Sequence, residues 1–169
     1  MTVIYTALLC EAQSIIEKYK LLKVNNHPKI YQNDTLLVVI GGIGELNTQS
    51  SLEYLFENYK VEKAFNIGIA GCSDKEVHIG ELFCTNKILE NINSMELTTV
   101  KTPQILDEGE KSLYDMEGQY FLEIAQKYLK DEDIFILKVV SDHLDDTILP
   151  KDKVKELIQN SLKSWEKWI

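Results

Sequence analysis

Four short apolar runs constrain this chain more than any other feature. Val3 to Leu9, Leu36 to Ile40, Ala64 to Ile69 and Ile134 to Val140 are nearly continuous, rich in β-branched residues and too short for helices. Runs of this kind suit strands covered on both faces, since a strand with one wet face would alternate apolar and polar residues. After the first run, Glu11 to Leu22 turns to helical spacing, with Ala12, Ile15, Ile16, Tyr19 and Leu22 on one face. The second ends in Gly41-Gly42-Ile43-Gly44 and leads into a helical stretch carrying Leu46, Leu52, Leu55 and Phe56. The third ends in Ala70-Gly71 and the fourth in Ser141-Asp142-His143. Strand, glycine or small polar residues, then helix is the pattern of a largely parallel sheet with helices on its faces.

The middle of the chain reads differently. Ile79 to Thr85 and Leu97 to Val100 suit strands, and Asp107 to Lys111 a solvated loop. Tyr114 or Asp115 is expected to start a helix with Phe121, Leu122, Ile124, Ala125 and Leu129 on its apolar face. A last helix is expected over about Pro150 to Trp168, with Val154, Leu157, Ile158, Leu162 and Trp165 inward. With no repeat, low-complexity stretch or linker, residues 1–169 read as a single domain.

Charge narrows the partners. The 18 basic residues are outnumbered by 27 acidic ones, for a formal net charge of −9. A chain this acidic lacks the positive footprint of nucleic-acid or anionic-membrane binding, which leaves small molecules and other proteins. Every basic residue is Lys, so the bidentate guanidinium fork is missing and any phosphate site must rely on Lys and backbone N–H groups. Three Cys without a C-x-x-C pair argue against a disulfide framework or structural zinc. The N-terminal apolar run has no basic flank and meets Glu11 at once, and no run approaches membrane-span length, so a cytoplasmic protein is expected.

Ligands of open α/β sheets bind beyond the carboxyl ends of the strands. Three acids fall there: Glu11 after the first strand, Asp142 after the fourth, and Glu117 near the start of a helix. Each alone also reads as a helix-terminus acid favoured by the macrodipole. Gly41-Gly42-Ile43-Gly44 lacks the third glycine of the dinucleotide fingerprint and reads first as a tight turn. Gly68-Ile69-Ala70-Gly71 has small residues that let a backbone approach a ligand, and both glycine segments could border one pocket. Asp142-His143-Leu144-Asp145-Asp146 has no second histidine motif, so no metal is expected. Cys10 beside Glu11 reads as a buried structural thiol, His27 as a loop residue, and His78 as the edge of a strand.

Taken in order, Thr6-Ala7-Leu8-Leu9-Cys10-Glu11, Gly42-Ile43-Gly44, Asn66-Ile67-Gly68-Ile69-Ala70-Gly71, Asp115-Met116-Glu117-Gly118 and Val139-Val140-Ser141-Asp142 resemble the nucleoside phosphorylase superfamily. Within it the chain is most similar to the methylthioadenosine/S-adenosylhomocysteine nucleosidases, over nearly its whole length. The resemblance implies an α/β/α sandwich around a mixed, partly barrel-like sheet, a homodimer, a small-molecule nucleoside substrate and no cofactor. It implies that Asp142 protonates N7 of a purine, with Ser141 placing the carboxyl. Glu117 would accept hydrogen bonds from ribose hydroxyls while Met116 packs on the sugar, and Glu11 would activate the attacking water. Gly68, Ile69, Ala70, Gly71 and Lys138 would complete the substrate side.

Two departures from the family pattern matter. Lys138 stands where the nucleosidases carry Arg, and Ile69 where they carry Ser. The chain is also short between about 87 and 115, where the family closes over the base, which leaves Glu96 to Gln104 as the base-side strand. Hydrolysis of a purine nucleoside is the first expectation. A phosphate-dependent phosphorylase and a non-catalytic nucleoside-binding protein of the same fold are the alternatives.

Overall fold

The computed structural model describes residues 1–104, 111–145 and 148–169. Ten strands and four α-helices are found among them: β1 (Thr2–Thr6), α1 (Leu9–Tyr19), β2 (Leu22–Asn26), β3 (Lys29–Gln32), β4 (Leu36–Ile40), α2 (Glu45–Asn58), β5 (Lys63–Cys72), β6 (Leu82–Cys84), β7 (Asn93–Ser94), β8 (Leu97–Thr99), β9 (Leu113–Asp115), α3 (Gly118–Ala125), β10 (Ile134–Asp142) and α4 (Lys151–Trp165). They build one sheet in the order β2-β3-β4-β1-β5-β10-β6-β7, with β9 joining β5 and β8 joining β9. The four apolar runs are its centre: β4, β1, β5 and β10 lie side by side and parallel. The remaining pairings are antiparallel except β6 with β7 and β8 with β9, so the sheet is mixed rather than largely parallel.

Alternate residues of the central strands feed two cores. Ile4, Leu36, Val38, Phe65, Phe135 and Leu137 face α1 and α4, where they meet Ile15, Leu157, Ile158 and Trp165. Val3, Tyr5, Leu37, Val39, Ala64 and Ile136 face α2 and α3, where they meet Leu52, Leu55, Phe121 and Ile124. The result is the α/β/α sandwich, with helices on both faces of a sheet whose central strands have no wet side. Phe65 stacks on Phe135 with centroids 4.5 Å apart, and Trp165 tilts against Phe65. No helix among the described residues is long and apolar enough to cross a membrane.

Several boundaries differ from expectation for physical reasons. The first strand stops at Thr6 and the helix begins at Leu9, because the Glu11 carboxylate reaches back to the Leu8 N–H and opens the helix there. The helix ends at Tyr19, with Lys20 in the left-handed conformation as its cap, so Leu22 belongs to β2 and is exposed, as is Leu46 at the start of α2. The β2–β3 hairpin gave no apolar signal because β2 is largely exposed. Leu113 to Asp115 is a strand rather than the start of a helix; it adds to the end of β5, and α3 begins only at Gly118. His78 lies in the turn before β6 rather than on a strand, and β6 itself is shorter than Ile79 to Thr85. Asp107 to Glu110 of the expected loop, and Asp146, lie outside the described residues.

Candidate active site

The site forms where the sheet comes apart. β1 pairs with β5 only as far as Tyr5 opposite Asn66, and β9 joins the same edge of β5 only at Gly71 and Cys72. Between those points no strand among the described residues lies beside the β5 edge, and a buried N–H left there needs another acceptor. Glu11 provides it: Oε1 accepts from the Ile69 N–H at 3.1 Å while Oε2 accepts from the Leu8 N–H at 2.8 Å. Gly68 makes the approach possible, since a Cβ there would lie 2.7 Å from Glu11 Oε1. Glu11 is buried, and burial pushes its carboxyl up to about 7 against the opposing pull of the Lys138 ammonium and the two N–H donors.

Glu117 sits in the turn between β9 and α3, and its Oε1 accepts from the Gly44 N–H at 2.9 Å, at the N-terminus of α2. That bond uses one of the donors that would have made Gly41-Gly42-Ile43-Gly44 an anion cradle. Burial raises Glu117 as well, again with Lys138 opposing.

Lys138 is 2% exposed, with Nζ 2.8 Å from Asp115 Oδ2 and 2.6 Å from Asn66 Oδ1. Burial alone would pull this ammonium down, but Asp115, Glu117 and Glu11 outweigh it and hold it charged.

At the far end of β10 the pairing with β5 slips by one residue: Val140 lies opposite Ala70 and Asp142 opposite Gly71. Neighbours on an unbroken strand point to opposite faces, and the slip lets Ser141 and Asp142 meet instead. The Ser141 hydroxyl lies 2.5 Å from Asp142 Oδ2 and 3.1 Å from the Ala70 carbonyl, and Asp142 Oδ1 accepts from the Leu144 N–H at 3.0 Å.

These groups surround a pocket of about 400 Å³. Of the residues singled out from the sequence, Glu11, Ile69, Ala70, Gly71, Met116, Glu117, Ser141 and Asp142 line it. Gly68 and Lys138 stand behind it: Gly68 is the patch against which Glu11 rests, and Lys138 is turned to Asp115 and Asn66. Val100, Pro103 and Gln104, from the expected base-side segment, line the pocket, although only Leu97 to Thr99 of that segment is strand. Sequence reasoning read Tyr114 or Asp115 only as the start of a helix and assigned no site role to either, nor to Leu144 or Asn66; the first hint for Asp115 is its place directly before Met116-Glu117. Cys10 is buried, and burial with Glu11 beside it raises its thiol. His143 bonds the Val77 carbonyl, and among the described residues no three His, Cys, Asp or Glu side chains gather as metal ligands.

No protein-family model matches the chain, and no curated protein does either. Solved structures do. Futalosine hydrolase of Helicobacter pylori superposes with a TM-score of 0.82 at 15% identity, covering 99% of this chain and 96% of its own. The 5'-methylthioadenosine/S-adenosylhomocysteine nucleosidase of the same organism gives a TM-score of 0.82 at 14% identity, again covering 99% and 96%. A variant of the Chlamydia trachomatis nucleosidase bound to MTA gives 0.80 at 15% identity, covering 99% and 98%. The chain has the nucleoside phosphorylase-like fold. In this fold the pocket described above lies at the carboxyl ends of β1, β5 and β10, where an α/β sheet presents its loops to a ligand.

Proposed function

We propose that the pocket hydrolyses the N-glycosidic bond of a purine nucleoside, of the methylthioadenosine or S-adenosylhomocysteine type. The observation that carries this reading is the convergence of Glu11, Glu117 and Asp142, from three separate places in the chain, on one cavity large enough for a nucleoside. Breaking such a bond leaves positive charge on the ribosyl ring and negative charge on the base, and carboxyl groups answer both.

Asp142 is the proton donor to the base. The Ser141 hydroxyl has one hydrogen and two acceptors, the Ala70 carbonyl and Asp142 Oδ2. A proton on Asp142 satisfies both contacts, and it is the proton that the departing base takes up at N7. Glu117 receives the ribose hydroxyls and Met116 packs on the sugar. Glu11 takes a proton from water as the water oxygen bonds to the ribosyl carbon, and its raised carboxyl, near about 7, is matched to that task at neutral pH. The products are the free base and the ribose part carrying the new hydroxyl.

Water is favoured over phosphate as the nucleophile because the donors an anion needs are already taken. The chain has no Arg, Lys138 is bonded to Asp115 and Asn66, and the Ile69 N–H is bonded to Glu11. Methylthioadenosine, S-adenosylhomocysteine, adenosine and inosine, each incubated with the protein with and without phosphate, test this by chromatography of the free base. Release without phosphate is expected. Release only with phosphate would make the protein a phosphorylase, and binding without release would make it a non-catalytic nucleoside-binding protein.

A further inference from the structure

Asp115 ends β9 with a side chain 1% exposed and both oxygens engaged. Oδ1 accepts from the Thr99 hydroxyl at 2.7 Å, and Oδ2 accepts from the Gly118 N–H at 2.7 Å and from Lys138 Nζ at 2.8 Å. Thr99 Oγ1 accepts in turn from the Gln119 N–H at 2.9 Å. One carboxylate thus joins β8, β10 and the first turn of α3. Gly118 leaves room at this junction: a Cβ there would lie 2.4 Å from Leu97 Cδ2 and 3.0 Å from Asp115 Oδ2, so either side chain would have to shift.

The lysine it holds faces the base. A Cβ on Gly68 would lie 2.7 Å from Glu11 Oε1 and 3.5 Å from Lys138 Nζ, so the carboxylate and the ammonium share one bare patch of β5. The groups around Glu11 are Lys138 from β10, Glu117 from the turn before α3, Tyr5 from β1 and Cys10 from its own helix, with Asp115 behind the lysine. Lys138 is the single positive charge among them, so where it is held decides how the acids share it.

We propose that Asp115 is the positioning residue of this site: it holds the Lys138 ammonium beside Gly68, facing Glu11, and with the same carboxylate fixes the turn that presents Glu117. The inference rests on the hydrolytic reading of the pocket. A purely structural role explains the arrangement poorly, since two buried charges gain little over an apolar pair in the same place. Released from Asp115, the ammonium would turn to Glu11 and Glu117, stabilise their ionised forms and weaken Glu11 as a base.

The test is a double-mutant cycle with Asp115→Asn, Lys138→Met and the double variant, read by base release against pH. Asp115→Asn is expected to lower kcat roughly 10- to 100-fold, the scale of a misplaced catalytic group, with KM little changed. Its acid limb moves to lower pH, whereas that of Lys138→Met moves to higher pH. The double variant, in which no buried lysine is left unpaired, loses less than the two single losses combined, and what it loses beyond Lys138→Met is the share of the turn that presents Glu117. Carboxyl 13C NMR of Glu11, assigned with Glu11→Gln, follows the same shifts without turnover. An acid limb and a Glu11 titration unmoved in Asp115→Asn, or losses that simply add, would overturn the proposal. A moved Glu11 titration in a protein that releases no base would overturn the activity and leave Asp115 in its role.

Discussion

Strands β5 and β10 run side by side along their whole length and change character half-way. In the lower half, Ala64 to Ile67 beside Ile134 to Leu137, all but Asn66 are apolar, and Phe65, Phe135 and Trp165 fill the space above them. In the upper half, Gly68 to Gly71 beside Lys138 to Asp142, the same ladder carries a buried ammonium, the small residues Gly68, Ala70 and Gly71, a hydroxyl and a carboxyl. The hydrogen-bonded frame is common to both; the partners on its edge are not. Below, β1 covers the edge of β5, and above, a carboxylate does. Burial of apolar surface in the lower half offsets the cost of desolvating charge in the upper half, so one stretch of chain supplies packing and the next the polar groups of the pocket.

The comparison is broken most completely by Asp142→Asn. Removing the proposed proton donor is expected to cut base release by roughly 10²- to 10⁴-fold, the usual weight of general acid catalysis, with the melting temperature nearly unchanged. Chromatographic rates alongside a thermal melt check both halves of that statement.

The converse is Trp165→Ala, in the lower half. Loss of this fully buried ring should cost about 3–5 kcal/mol of stability by urea unfolding, while kcat at a temperature where the variant is folded stays close to wild type.

Titration sharpens the contrast. Glu11 ionises near 4.5 in the unfolded chain and near about 7 in the folded protein, so between those values the native state keeps a proton that the unfolded state has lost. Stability from neutral Glu11 is complete below pH 4.5 and declines as pH rises towards 7, by about 3 kcal/mol at 1.36 kcal/mol per pH unit. Denaturation of the wild type and of Glu11→Gln from pH 4.5 to 8 should show this slope in the first and a flatter one in the second. Over the same range kcat/KM should rise, because Glu11 in its proposed role as base acts in its ionised form.

The smallest effect expected is that of Gly68→Ala. The added methyl would meet Glu11 Oε1 at 2.7 Å and displace that carboxylate, so on the proposed mechanism a loss of roughly 10- to 100-fold in kcat is expected, on the scale of an ångström of misplacement. Steady-state kinetics with the unfolding midpoint as control separates this from a packing defect.

Much of this was legible from the residues. β4 has the expected bounds, and β5 and β10 begin within a residue of theirs, because a strand buried on both faces writes itself as an apolar run. Glu11, Glu117 and Asp142 were legible as acids beyond strand ends, and they do line one pocket. Weak elements were not legible. The β2–β3 hairpin is held by backbone pairing to the edge of β4, and β9 has three residues whose strand character comes from β5 and β8. The partners of Lys138 were not legible, because its sequence neighbours say nothing of Asp115 or Asn66, which reach it from other strands.

By itself the sequence determined the central parallel strands, the helices flanking them and which acids stand at their ends, since periodicity and chain order are local properties. Only the tertiary structure decided what each charge does. The gap between β1 and β9 that Glu11 fills, the slip that turns Ser141 towards Asp142, and the capture of Lys138 by Asp115 all depend on groups distant in the chain. A buried charge takes its behaviour from whatever surrounds it within a few ångströms, and that neighbourhood exists only once the sheet has closed around it.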